Sequence, residues 1–246
     1  MIILTDIHTH TDISPHAYST LMENVRYAAK NGMELIAITN HGPAKGGPSE
    51  HFRNLRRNLP RVVKDITVLR GAEANILNDS GELDLDNEIL SELDIVIASC
   101  HDDLYFPQGD EGFKKVYTAV INNPQIDILG HLCRNMHTKH LDEIIDLAKN
   151  KNKLIEFNQA SFIGRKLQRI ENSKLLMQKC LKRKANVVVT TDSHFCTNVG
   201  RFAPIIEYLK SIGFPEELVI NRNKDALLRF LNNRDNKEKV GGDILK

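Results

Sequence analysis

Seven short runs rich in Ile, Val and Leu recur along the first four-fifths of the chain, and nearly all of them end in a residue able to ligate a cation. They are IILTDIHTH (His8, His10), LIAITNH (His41), ITVLRGAEANI (Glu73), LDIVIASCH (His101), IDILGH (His131), KLIEFNQ, which is read as carrying no ligand type, and ANVVVTTDSH (Asp192, His194). His16 follows the first run in the segment DISPHAY. Apolar runs of this length with β-branched residues read as buried strands. The recurrence restricts the fold to one that brings many strand ends together.

Amphipathic stretches separate the runs. The first is bounded by a capping-box pattern, Thr20 with Glu23, and stops at Asn31 and Gly32. Further helices are predicted over Glu50 to Lys64, reset at Pro60, and over Glu111 to Asn123, Leu141 to Asn150, Ser173 to Lys184, Pro204 to Ile212 and Lys224 to Asn232. Pro204 suits a first helical turn and Gly213 a helix stop. Strands alternating with helices build a parallel sheet from βα units, and seven units in one domain point to closure into an α/β barrel. An open doubly wound sheet is the alternative. In a barrel the working residues gather at the C-terminal ends of the strands, where the His, Glu and Asp residues fall.

The 246 residues fit one domain, 1–246, with 233–246 (NRDNKEKVGGDILK) as a frayed polar tail. Lys and Arg number 33 against 32 Asp and Glu, a formal charge of +1, so no global field favours nucleic acid or an anionic membrane. No apolar run approaches the ~18 residues that span a bilayer. The four cysteines show neither a CxxC nor a dense framework, and no secretory leader is visible, which predicts a cytoplasmic protein.

His8 and His10, two apart on a strand, leave the same face and can grip one ion, and Asp192 with His194 repeats the spacing. Either pair alone reads equally well as a hydrogen-bonded polar face. Taken together, buried imidazoles and carboxylates on so many core-like strands need a partner, and a shared cation supplies it. Nine candidate ligands exceed one four-coordinate ion, so two or three ions are implied, with Glu73 as a bridge and Asp192 as a second carboxylate link. Mixed imidazole and carboxylate donors suit Zn²⁺, Mn²⁺ or Fe²⁺.

The motifs HTHTD, NHG, GAEANI, SCHDD, GHLCRN and TTDSHF, in this order from residue 6 to residue 196, resemble the PHP (polymerase and histidinol phosphatase) superfamily, and within it the stand-alone YcdX-type phosphatases. The resemblance implies a distorted (β/α)7 barrel with three divalent ions, most simply zinc, and phosphoester hydrolysis by a metal-bridging hydroxide. It assigns His8, His10, Glu73 and Asp192 to one ion and His16, His41 and His194 to a second. Glu73 then bridges to a third ion held by His101 and His131. The segments after His131 (LCRN) and after SCHDD (LYFPQGDEG) depart from the family's pattern, so pocket walls and substrate choice stay open.

No P-loop, G-x-S-x-G or Cys/His dyad supplies a protein nucleophile, and no catalytic side chain is assigned. Clustered dications make one unnecessary. The expected substrate is a small phosphomonoester, with Arg134 and Arg165 as candidate phosphate-binding cations and Asp102 or Asp103 as weak candidates for a general acid. A histidinol-phosphate phosphatase, a phosphodiesterase or exonuclease, and a non-catalytic metal-stabilised module are the alternatives. Cys100, Cys133 and Cys196 lie near ligands but read as small buried hydrophobes. His51, His137 and His140 read as surface residues or as supports for ligands.

Overall fold

The computed structural model describes residues 1–134 and 136–234. Its strands are β1 (Thr5–Thr9), β2 (Leu35–Ile38), β3 (Val62–Val63), β4 (Ile66–Asn75), β5 (Ile95–Ser99), β6 (Ile128–Gly130), β7 (Leu154–Asn158) and β8 (Val187–Thr190). Its helices are α1 (Leu21–Lys30), α2 (Ser49–Asn58), α3 (Asn87–Glu92), α4 (Gly109–Asn122), α5 (Leu141–Asn150), α6 (Gln159–Phe162), α7 (Leu167–Arg183), α8 (Ala203–Ser211) and α9 (Lys224–Asn232). Seven strands pair in parallel in the order β1-β2-β4-β5-β6-β7-β8, and β3 is a short antiparallel addition to β4. The expected seven-stranded α/β barrel is therefore observed.

Most helices fall where the periodicity places them, and the exceptions have local causes. The stretch from Glu50 ends as a helix at Asn58, because Pro60 drives Leu59 into extended backbone (φ −91°, ψ 115°) and Val62–Val63 then pairs with β4. Helix α7 begins at Leu167, six residues before the predicted start. Helix α3 has no counterpart in the sequence reading; Asp86 caps it by accepting from the Ile89 N–H.

The barrel closes at the top and is bridged lower down. Next to the strand ends, the His10 N–H donates to the Ser193 carbonyl (2.8 Å) and the Ser193 N–H to that of His8 (3.3 Å). Below, the fully buried Asn221 occupies the seam between β8 and β1. Its Oδ1 accepts from the Val189 N–H (2.9 Å), and its Nδ2 donates to the carbonyls of Val189 (2.7 Å) and Thr5 (2.9 Å). Backbone of the same segment adds to this: Val219 bridges Val187, the Leu4 N–H donates to the Arg222 carbonyl (2.9 Å) and Thr5 Oγ1 to the Asn221 carbonyl (2.7 Å). Without the Asn221 side chain its partners on Val189 and Thr5 would be unpaired, at about 1–3 kcal/mol each.

The barrel interior is apolar at its base. Ile7, Leu35, Leu69, Ile97, Leu154 and Val188 meet Leu227, Phe230 and Leu231 of α9, which plugs the N-terminal mouth. Burying such side chains stabilises by about 1.5–3 kcal/mol each and leaves only the opposite mouth open. A larger apolar layer lies between the sheet and the outer helices. At the start of the segment read as a frayed tail, Arg234 donates to Asp127 Oδ1 (2.6 Å) and to the Asp94 carbonyl (3.0 Å). The rest of that segment, 235–246, lies outside the described residues.

Candidate metal centre

Side chains alternate along a strand, so each inward apolar residue at the base predicts which residue faces inward above it. Ala37 on β2 leads by steps of two to His41, Leu69 on β4 to Glu73, Ile97 on β5 to His101, and Val188 on β8 to Asp192. Two strands break the alternation. In β1 the pairing register with β2 shifts between Asp6 and Thr9, so that Ile7 and then His8 and His10 all reach the interior. At the end of β6, Ile128 and Gly130 are followed by His131 with φ 52°, a left-handed backbone that swings its ring inward. Asp192 has φ 55°. Non-glycine residues there cost about 1–2 kcal/mol. Gly130 itself has no room for a side chain, since a Cβ would lie 2.2 Å from Ser99 Oγ.

All nine sequence-predicted ligands converge above the apolar base, and several donor pairs stand at the spacing that a shared ion imposes. Metal–ligand bonds of about 2.0–2.2 Å in a tetrahedron put donors about 3.3–3.6 Å apart. His8 Nε2 lies 3.4 Å from Glu73 Oε2 and 3.5 Å from Asp192 Oδ1, and His10 Nε2 lies 3.6 and 3.2 Å from the same two atoms. On the other carboxylate oxygen of Glu73, His101 Nε2 stands at 3.4 Å and His131 Nε2 at 3.0 Å. His16 Nε2 and His41 Nε2 are 3.1 Å apart. Four overlapping triplets bring three donor atoms within 4.8 Å of one another: His10/His41/His194, His8/His10/Glu73, His8/His131/Asp192 and His41/Glu73/His101.

The donor atoms are also orphaned. Buried and without a hydrogen-bond partner are His8 Nε2, His10 Nε2, both Glu73 oxygens, both His101 nitrogens, Asp192 Oδ1 and His194 Nε2. Unpaired buried polar atoms are rare because each is costly, and here eight belong to six residues of one cluster. The residues therefore fit divalent ions. Charge distribution agrees. Burial opposes ionisation of Glu73, yet the imidazoles of His41 and His8 outweigh it and hold the carboxyl well below its usual range. Asp192 is held down likewise by His8 and His10. Burial drives His10 well below the ordinary imidazole value, leaving it a neutral donor.

One residue at the centre corrects the sequence reading. The run KLIEFNQ does carry a functional group: Glu156, buried on the inward face of β7. Its Oε1 accepts from His8 Nδ1 (2.5 Å) and Thr190 Oγ1 (2.7 Å), and its Oε2 from the His131 N–H (2.8 Å). With both oxygens engaged, Glu156 adds no free donor and fixes the His8 ring and the His131 backbone, the arrangement of a carboxylate behind a metal-binding histidine. Despite burial, His8 holds its pKa down to about 2. The signal was present in the period of two, Leu154, Glu156, Asn158, but the residue precedes the strand end. His10 Nδ1 is met by Ser14 Oγ (3.2 Å), which bonds Asn40 Oδ1 (3.1 Å).

The remaining predicted residues separate. His51 contacts Asn40 (3.2 Å), while His137 and His140 bind Asp110 and Glu111 on the helical layer. All four cysteines are buried and outside the triplets; burial pushes the Cys100 thiol up to about 12. Above the donors opens a cavity of about 410 Å³. Arg134 lines it and reaches Asp192 Oδ2 (3.2 Å). Arg165 is exposed and does not line it; Arg169, one turn along, does, together with Lys45. Asp103 binds Lys45 (2.7 Å), which holds its carboxyl below the usual range, and Asp102 binds Arg169 (2.8 Å). The Lys45 pair thus favours the ionised form of Asp103.

The PHP domain sequence profile matches residues 6–160. A probable phosphatase of Clostridium botulinum is 40% identical over 94% of this chain and 95% of its own length. One from Caldanaerobacter subterraneus is 36% identical over 98% of this chain and 94% of its own. The crystal structure of histidinol phosphate phosphatase from Lactococcus lactis, with zinc, L-histidinol and phosphate, shares the fold at a TM-score of 0.60 and 20% identity, over 87% of this chain and 95% of that one. Among the described residues no helix is long and apolar enough to cross a membrane. By its sequence profile and its full-length relatives, this chain belongs to the PHP domain family.

Proposed function

We propose that the chain is a metal-dependent phosphatase that hydrolyses small phosphomonoesters at a centre of three divalent ions, with residues 1–246 working as one domain. The single observation that carries the reading is the set of orphaned, ion-spaced donors beneath a cavity that Arg134 enters. The assignment divides them as His8, His10, Glu73 and Asp192; His16, His41 and His194; and Glu73 again with His101 and His131. Bound there, dications polarise phosphoryl oxygens and acidify a water toward neutral pH. Imidazole and carboxylate donors suit Zn²⁺ first, with Mn²⁺ or Fe²⁺ as substitutes.

The chain's own groups do the rest. Glu156 and Ser14 fix the Nδ1 atoms of His8 and His10 and turn their Nε2 atoms to the centre. Arg134, beside Asp192, is placed to take a phosphoryl oxygen as a charge-assisted donor. The relatives named as probable phosphatases support the same activity class, and the +1 net charge disfavours a nucleic-acid substrate. The test is to count ions in the purified protein and to assay phosphomonoesters, histidinol phosphate and single-stranded DNA before and after chelation. Phosphomonoester hydrolysis abolished by chelator and restored by a dication is expected; its absence from ion-loaded protein refutes the reading.

A further inference from the structure

The cavity over the donor cluster has an unusual lining. Ligand pockets are mostly apolar with a few polar groups, but all eleven residues around this one are ionisable: five histidines, three aspartates and the cations Lys45, Arg134 and Arg169. Apart from the imidazole rings, this cavity offers only charged side chains; the aliphatic and aromatic wall of Ile163, Phe202, Pro204 and Ile206 belongs to a neighbouring cavity that shares Asp192 and His194 with it. Arg134 is committed to the floor through Asp192. Lys45 and Arg169 are not. Each is held by one of two adjacent aspartates, Asp103 and Asp102, so that the loop after β5 gathers a cation from the β2 side and another from α7.

In both pairs the cation is the inner partner. The Lys45 side chain is 14% exposed against 65% for Asp103, and Arg169 is 22% exposed against 44% for Asp102. The carboxylates, on the solvent side of each pair, are the partners that an incoming anion can share or replace, while the cations stay in the cavity wall. We propose that Lys45 and Arg169 form a subsite for a second anionic group. The preferred substrates are then small phosphate esters whose alcohol part carries a carboxylate or another phosphate. This rests on the phosphatase reading for turnover, but binding tests it separately.

The probes are three phosphonates on one scaffold, n-propylphosphonate, 3-phosphonopropionate and ethane-1,2-bisphosphonate, titrated calorimetrically into the zinc-loaded protein with ion content verified afterwards. Either doubly functional probe should bind at least about tenfold more tightly than n-propylphosphonate, as expected for a charge-assisted contact. Comparing the two identifies the anion. Lys45→Ala and Arg169→Gln should each shrink that ratio toward one, with melting curves confirming the fold. Equal binding of all three probes, or a preference that survives both substitutions, overturns the subsite. In parallel, glycerol 3-phosphate and 3-phosphoglycerate are assayed: an intact binding preference with no turnover of either ester would sink the phosphatase reading and leave the subsite standing.

Discussion

Replacing Glu156 with Gln probes the centre without removing any of its nine donors. The carboxylate takes three bonds, from His8 Nδ1 and Thr190 Oγ1 on one oxygen and from the His131 N–H on the other. A Gln amide has one oxygen. Whichever way it turns, its NH₂ faces a donor, and at least one buried N–H is left unpaired at about 1–3 kcal/mol. Either outcome moves a ligand: His8 loses the partner that fixes its ring, or His131 loses the bond that holds its left-handed backbone. Removing a carboxylate behind a ligating histidine costs about 10- to 100-fold in metal affinity, which at 1.4 kcal/mol per tenfold matches the hydrogen-bond figure. The assay is competition between protein and a chelating dye, with ion stoichiometry measured alongside and circular dichroism recorded on the ion-free protein. Glu156→Gln should fold and bind dications about 10- to 100-fold more weakly. Wild-type affinity and stoichiometry in a folded variant would refute a positioning role.

Asn221→Ala should destabilise by several kcal/mol, because it strips partners from the Val189 N–H and from the Val189 and Thr5 carbonyls at about 1–3 kcal/mol each. Hydrogen exchange should show faster exchange at the Val189 amide, and unchanged protection there would count against a seam held by this side chain. Zinc should raise the melting temperature of chelated protein, since ions that bind only the folded donors stabilise by mass action; no shift at saturating zinc would contradict an ion-fitting cluster. His140, bonded to Glu143 and then Glu111, has a pKa raised above the ordinary 6.5. Its contribution to stability is complete below about pH 6.5 and is lost as pH rises through the folded value. Histidine NMR should show its midpoint falling in Glu143→Gln, and a midpoint that stays put would refute the assignment.

How much was readable in the chain varies with the range of the contact. The inward placement of His41, Glu73, His101 and Asp192 was legible because a strand repeats every two residues: the apolar position at the base announces the inward position at the rim. Glu156 obeys the same rule on β7 and was missed because it stops short of the strand end, where attention to rim residues does not reach. The helix from Glu50 was stopped early by Pro60, a local signal whose consequence, pairing of Val62–Val63 with β4, is not local.

The sequence by itself determined the seven parallel strands, most of the helices between them, and the order of the nine candidate donors, since these are written within a few residues by periodicity and residue chemistry. The tertiary structure alone decided which donors share an oxygen of Glu73, that Glu156 stands behind His8 from 148 positions away, and that Asn221 closes the seam from 216 positions beyond Thr5. It also decided that Arg169 and Lys45, and not Arg165, stand in the cavity wall. The physical reason is closure. Bending seven strands into a ring sets distances between residues that no repeat along the chain encodes, and the seam between the first and last of them is bonded by the backbone and the Asn221 side chain of a segment that returns from far along the chain.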